Sequence, residues 1–237
     1  DYAGNVTTYS YDDMDRLVEK KIGTEKTVYN YGDKEQLTKV TDKSGDISYG
    51  YDKYGRLTSQ TDAKGVTISY TYDKTGRLET FNNGFGTTTY EYDLLDRVTR
   101  VVDRNGKATV YEYDELGNRS AVRYPNGNVV TYTYDACQRL KEEWIVNESG
   151  VTLAEYTYGL GKAGERTSII ELVNGVETKI TYKYDKLNRL IKETIERKDS
   201  SLSNEFEYDV VSNRISKKLR LRVNYLYLQM LIWKRLR

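Results

Sequence analysis

The sequence predicts an all-β fold, in which tandem β-hairpin repeats form a continuous, coiled antiparallel sheet. Three observations predict it. An aromatic-x-Tyr pair recurs ten times along the 237 residues. The residues around each pair alternate with a period of two, as strands do. Turn-forming residues interrupt the pattern at two points in each repeat.

The second tyrosine of the pair falls at Tyr11, Tyr31, Tyr51, Tyr72, Tyr92, Tyr113, Tyr134, Tyr158, Tyr184 and Tyr208, at spacings of 20 to 26 residues. The first aromatic is Tyr in nine copies and Phe206 in the tenth. In eight copies Asp follows directly: Asp12, Asp52, Asp73, Asp93, Asp114, Asp135, Asp185 and Asp209. An Arg and an apolar residue then close the motif. YDKYGRL at 51–57 supplies Gly55 and Arg56, and YDKTGRL at 72–78 supplies Gly76 and Arg77. YDELGNR at 113–119 and YDVVSNR at 208–214 carry Arg one position later. YGDKEQL after Tyr31 and YGLGKAGER after Tyr158 lack the Tyr-Asp pair, so irregular turns are expected there.

Each strand assignment follows from alternation. In 66–72, Val66, Ile68, Tyr70 and Tyr72 share one face, and Thr67, Ser69 and Thr71 share the other. The residue between the two aromatics is small or polar in every copy, which predicts one wet face and one packed face built on Tyr. Asp-x-x-Gly after the pair fits a type I turn closed by a left-handed residue, so Gly55 and Gly76 are expected at positive φ. A second set of turns is marked by Asp42 to Gly45, Asp62 to Gly65, Asp103 to Gly106, Pro125-Asn126-Gly127 and Asn174-Gly175. One such strand pair is not stable alone, but ten in series give about twenty strands, a width at which a twisted sheet coils or closes.

Composition narrows the function. There are 24 Tyr, one Pro, one Cys and no His. Without His there is no Ser-His-Asp or Cys-His catalysis and no imidazole ligand for a metal. Cys137 alone makes neither a disulfide nor a CxxC site. No run approaches the ~18 apolar residues of a membrane-spanning helix. The net charge of +1 is uneven: residues 214–237 hold eight of the 37 basic side chains, no acidic residue follows Asp209, and the remainder is about −7. An acidic body rich in Tyr and Thr does not suit nucleic acid. Residues 1–214 therefore read as the repeat array. Residues 215–237 read as an atypical basic, apolar tail: a helix, a membrane-facing tail, the start of a variable module or non-native sequence.

Tyr-Asp-x-x-Gly-Arg-Leu at a period of about 20 residues resembles the YD repeat of Rhs proteins, of wall-associated bacterial repeat proteins and of the teneurin ectodomain. The resemblance covers residues 1 to about 214. It implies a spiral sheet forming part of a hollow shell, on a secreted or cell-surface bacterial protein, and in bacterial members an enclosed C-terminal toxin. Further repeats and a C-terminal module of the same chain are then the implied partners, with cell-surface carbohydrate as an alternative. The opening Asp1-Tyr2-Ala3-Gly4 reads as the turn of a preceding repeat. The family's Asp-Pro junction has no counterpart, since Pro125 follows Tyr124.

No cofactor, metal or catalytic group is expected. Asp and Arg recurring at every turn read as turn chemistry, because a ligand site rarely needs ten copies. The Tyr stripe reads as core, with stacking on sugars as the alternative. Glu142-Glu143 beside Trp144 suggests a glycosidase pair, but neighbours in a strand point to opposite faces and cannot flank one bond. Cys137 reads as a small residue in a turn, with no base to activate it.

Overall fold

The computed structural model describes residues 6–223, and among them there is no helix. The chain divides into two compact units, Asp1–Ala108 and Thr109–Arg237. The first unit contains β1 (Thr7–Tyr11), β2 (Leu17–Ile22), β3 (Glu25–Tyr31), β4 (Leu37–Asp42), β5 (Gly45–Tyr51), β6 (Leu57–Thr61), β7 (Thr67–Tyr72), β8 (Leu78–Asn82), β9 (Thr87–Tyr92) and β10 (Val98–Val102). The second contains β11 (Ala108–Tyr113), β12 (Arg119–Arg123), β13 (Val129–Tyr134), β14 (Leu140–Val146), β15 (Thr152–Leu160), β16 (Arg166–Val173), β17 (Val176–Tyr184), β18 (Leu190–Arg197), β19 (Ser200–Tyr208) and β20 (Arg214–Val223). Within each unit every strand pairs antiparallel with the next in sequence, so both are meanders of hairpins.

The two ends of most hairpins differ; the turn between β14 and β15 is the exception, with a slip at Val146. At the tyrosine end the register slips by one residue. Tyr51 faces Leu57 while Gly50 faces Ser59, which leaves Thr58 as the extra residue of a bulge. The same slip occurs beside Tyr11, Tyr31, Tyr72, Tyr113, Tyr134, Tyr184 and Tyr208. A bulge adds local right-handed twist, so a sheet bulged along one rim twists more strongly there. It also explains why the returning strands do not alternate in sequence: Leu57 and Gln60, three apart, lie on the tyrosine face with Tyr51 and Ile68.

The tyrosine-end turns obey one geometry. Gly55 N–H donates to Asp52 C=O at 3.0 Å, and Asp52 N–H donates to Arg56 C=O at 3.0 Å. Gly55 and Gly76 take φ of 81° and 97°, as the turn chemistry requires. Six other repeats hold the same position with a residue that has a side chain: Asp15, Glu35, Asp96, Gln138, Asn188 and Ser212, at φ between 58° and 72°. Two expectations of irregularity fail. Gly32 and Gln36 reproduce the backbone bonds of Asp52 and Arg56 at 2.8 Å. After Tyr158 the two added residues lengthen β15 to Leu160, and the regular turn simply closes on Gly161 and Glu165.

Burial departs from the sequence expectation. In the first unit no described residue is fully buried, and the tyrosines of both units are half-buried or exposed. Tyr side chains are covered by neighbours on their own face, as Tyr70 is by Phe81 at a ring separation of 5.5 Å. Buried side chains occur in the second unit, at Ala121, Val122, Val130, Ala154, Ile169 and Asn204. The sheet also runs past position 214, since Arg214–Val223 pairs with β19 along its whole length. The expectations for the rest of the tail, 224–237, lie outside the described residues.

Candidate functional site: a ladder of turns

The repeat signature converges at the bulged turns. Asp52 Oδ1 accepts the backbone N–H groups of Tyr54 and Arg56 at 2.8 and 3.0 Å, while Oδ2 receives Arg56 Nε and Nη2 at 2.7 Å each. One carboxylate thus satisfies two turn amides and anchors one guanidinium, which is why Asp precedes Arg by four residues. Asp12–Arg16, Asp73–Arg77, Asp93–Arg97, Asp135–Arg139 and Asp185–Arg189 repeat the arrangement. The Arg139 side chain and backbone N–H, against the cost of desolvation, hold the Asp135 carboxyl below its ordinary range. Arg16 does the same for Asp12.

Substituted turns keep the chemistry by other means. Asn118 and Asn213 stand where Arg is expected, and their amides donate to Asp114 and Asp209 Oδ2 at 3.0 Å. In the Gly161 turn the carboxylate moves to the other position: Glu165 folds back, its Oε2 accepts Ala163 N–H at 3.0 Å, and its Oε1 occupies the space of a Cβ on Gly161. Gln36 fills the same space at Gly32.

Successive repeats are joined by the tyrosines. Tyr72 Oη donates to the Leu57 carbonyl of the preceding repeat at 2.8 Å. Tyr31, Tyr51 and Tyr92 reach Leu17, Leu37 and Leu78 in the same way, as do Tyr134, Tyr184 and Tyr208 to Arg119, Arg166 and Leu190, all at 2.8–2.9 Å. The arginine of one turn lies over the next tyrosine: Arg56 over Tyr72 at 4.4 Å, Arg77 over Tyr92 at 4.7 Å, Arg16 over Tyr31 at 4.8 Å and Arg189 over Tyr208 at 4.9 Å. Arg77, Arg139 and Arg189 also donate to carbonyls of the following turn, Asp93, Gly161 and Asp209, at 2.9–3.1 Å. Where the motif is complete, Asp, Arg and Tyr therefore link one turn to the next. Partial desolvation on this face raises the hydroxyl pKa of Tyr51 and Tyr92.

The other candidates are dispersed. Glu142 accepts from Thr133 on one face of β14, and Glu143 lies opposite Tyr132 on the other. Cys137 is exposed in its turn, its N–H bonded to Asp135 Oδ1 at 2.8 Å. Among the described residues no group of acidic or cysteine side chains is arranged to hold a metal ion. Nor do those residues hold a helix long and apolar enough to cross a membrane. Tyrosine hydroxyls aimed at carbonyls one repeat back are invisible in sequence, because they depend on strand spacing rather than on residue type.

The turn ladder has a counterpart among known proteins. The RHS Repeat family matches in five overlapping copies, at residues 29–67, 51–84, 72–108, 92–129 and 113–152, more than half of the chain. The chain belongs to the RHS repeat family. No curated protein sequence matches it. Among solved structures, a chain of the Photorhabdus luminescens Tc holotoxin pore is similar with a TM-score of 0.57 at 13% identity, over 91% of this chain and 16% of that one. TcdB2-TccC3 without its hypervariable C-terminal region gives 0.49 at 16% identity, over 92% and 15%. At such identity the holotoxin likeness establishes the shared RHS repeat fold, and this chain spans about one sixth of the solved chains it resembles.

Proposed function

We propose that this chain is a scaffold segment of a secreted or cell-surface RHS repeat protein, whose repeats enclose or present a C-terminal, toxin-like module of the parent chain. The observation that carries this reading is the turn ladder. The recurring carboxylates, guanidinia and tyrosine hydroxyls, which a ligand or substrate would need, are engaged with each other and with backbone groups. We assign the segment no catalysis: it has no His, and its adjacent Glu142 and Glu143 serve opposite faces. The shared fold with a Tc holotoxin chain supports a role within a larger assembly.

Limited proteolysis of the intact parent protein tests the proposal. The C-terminal module should resist protease while the repeats are whole and become sensitive once they are cut. Equal sensitivity in the parent and in the isolated module would end this reading.

One feature favours carbohydrate adhesion as a second reading. Tyr54 is 71% exposed. It lies beside an open hollow of about 530 Å³ lined by Arg56, Asp73 and Thr75. A glycan array with the 237-residue chain separates the two, since a scaffold shows no sugar preference.

A further inference from the structure

The last strands of the second unit carry cationic groups that the turn ladder does not use. On one face of β18, β19 and β20, Thr194 stands opposite Ser203, Ser203 opposite Arg220, and Ser201 opposite Arg222. With Lys192 from the same face of β18, these residues line a cavity of about 150 Å³.

Three cations and three hydroxyls therefore meet in one hollow. Glu205 offsets part of the charge, bonded to Lys192 at 3.0 Å and 3.5 Å from Arg220. Glu196 stands opposite Ser201 at the rim. Two groups are left over. Arg222 makes no ion pair with any carboxylate among the described residues. Ser203 Oγ is shut off from solvent and has no hydrogen-bond partner among them. A shielded hydroxyl without a partner carries a desolvation cost that an acceptor oxygen relieves. Guanidinium forks next to hydroxyl donors suit the several oxygens of a tetrahedral anion better than they suit a chloride or a lone carboxylate.

We propose that this cavity binds a tetrahedral oxyanion, phosphate or sulfate, with Arg220, Arg222 and Lys192 as charged donors and the Ser203 and Thr194 hydroxyls as neutral ones. The site is independent of the scaffold reading, because it lies on the sheet face rather than in the turns.

Isothermal titration calorimetry of the full 237-residue chain tests it, with inorganic phosphate, inorganic sulfate and glycerol 1-phosphate as separate titrants. Saturable binding is expected, weakening as sodium chloride is raised. Arg222→Gln should weaken it about tenfold, the loss of one charge-assisted hydrogen bond, and Ser203→Ala about threefold. Lys64→Gln, in an exposed turn of the first unit, should bind as the parent does. Retained far-UV strand signal checks that each variant is folded, and Ser203→Ala removes only one oxygen from a strand that keeps its ladder. If glycerol 1-phosphate binds as phosphate does, the site takes a phosphoryl group carried on a larger molecule. Binding of the inorganic ions alone marks it as a free-anion site. Absence of saturable binding to the parent chain, or Arg222→Gln and Ser203→Ala binding equally to it, overturns the proposal.

Discussion

Replacing Tyr72 tests the ladder in the middle of the first unit. Tyr72 makes two separable contributions: its hydroxyl bonds the Leu57 carbonyl at 2.8 Å, and its ring is half-buried beneath Arg56 at 4.4 Å. Tyr72→Phe removes only the hydroxyl, and one net hydrogen bond is worth ~1 kcal/mol. Tyr72→Ala also removes the ring. Full burial would set that at ~3–5 kcal/mol, and half-burial reduces it to roughly 2 kcal/mol. Loss of the stacked guanidinium adds ~0.5 kcal/mol at a partly exposed site. The Ala variant should therefore cost about 3–4 kcal/mol and the Phe variant ~1 kcal/mol. Thr71→Ala, on the exposed opposite face, should cost less than ~0.5 kcal/mol. Repeat arrays unfold locally, so the measurement is native-state hydrogen exchange read at the amides of β6, β7 and β8 rather than one global melt. If Tyr72→Phe leaves those amides as protected as in the parent, the hydroxyl does not join the repeats. If Tyr72→Ala and Thr71→Ala lower protection equally, the tyrosine face is not the packed one.

Gly76 has φ of 97°, and a Cβ there meets Arg56 Nη1 at 3.3 Å. Gly76→Val should cost more than ~1 kcal/mol in urea denaturation. The reverse holds at Gln138, whose φ is 60°. Gln138→Gly should raise stability by ~1 kcal/mol in the same assay, as a strained left-handed residue is relieved. At the exchanged turn, Gly161→Asp should lower the melting temperature by crowding Glu165, and Gly161→Asp with Glu165→Arg should recover most of the loss by rebuilding the common pair. Asp12, Asp73, Asp93, Asp135 and Asp185 all have lowered folded-state pKa values. Their stabilisation is complete above the unfolded value of about 3.9 and is lost as pH falls through the folded values. Melting temperature should thus hold from neutral pH to about 4 and drop below it, and a loss centred near pH 6 would contradict the assignment.

The fold class, the approximate number of strands and the eight Tyr-Asp turns are legible in the sequence, because period-two patterning and turn residues act over a few positions and leave a local trace; the turns after Tyr31 and Tyr158, which lack that pair, are not. Asp and Arg four apart were legible as turn chemistry for the same reason. The tertiary structure decided whatever depends on neighbouring strands. Tyr72 finds a carbonyl 15 residues back, and Arg56 finds a ring in the next repeat, through strand spacing that no local pattern encodes. The equivalence of Gly161–Glu165 to an Asp–Arg pair needed three dimensions, since the carboxylate comes from the opposite end of the turn. Burial is not legible in the same way, because alternation tells which residues share a face, not what covers that face. In the first unit most of the tyrosines are covered only by neighbours within the sheet, so they stay half-buried. The cationic hollow on β18, β19 and β20 arises because residues spread over 192–222 stack side by side, and sequence showed there only a run of basic residues.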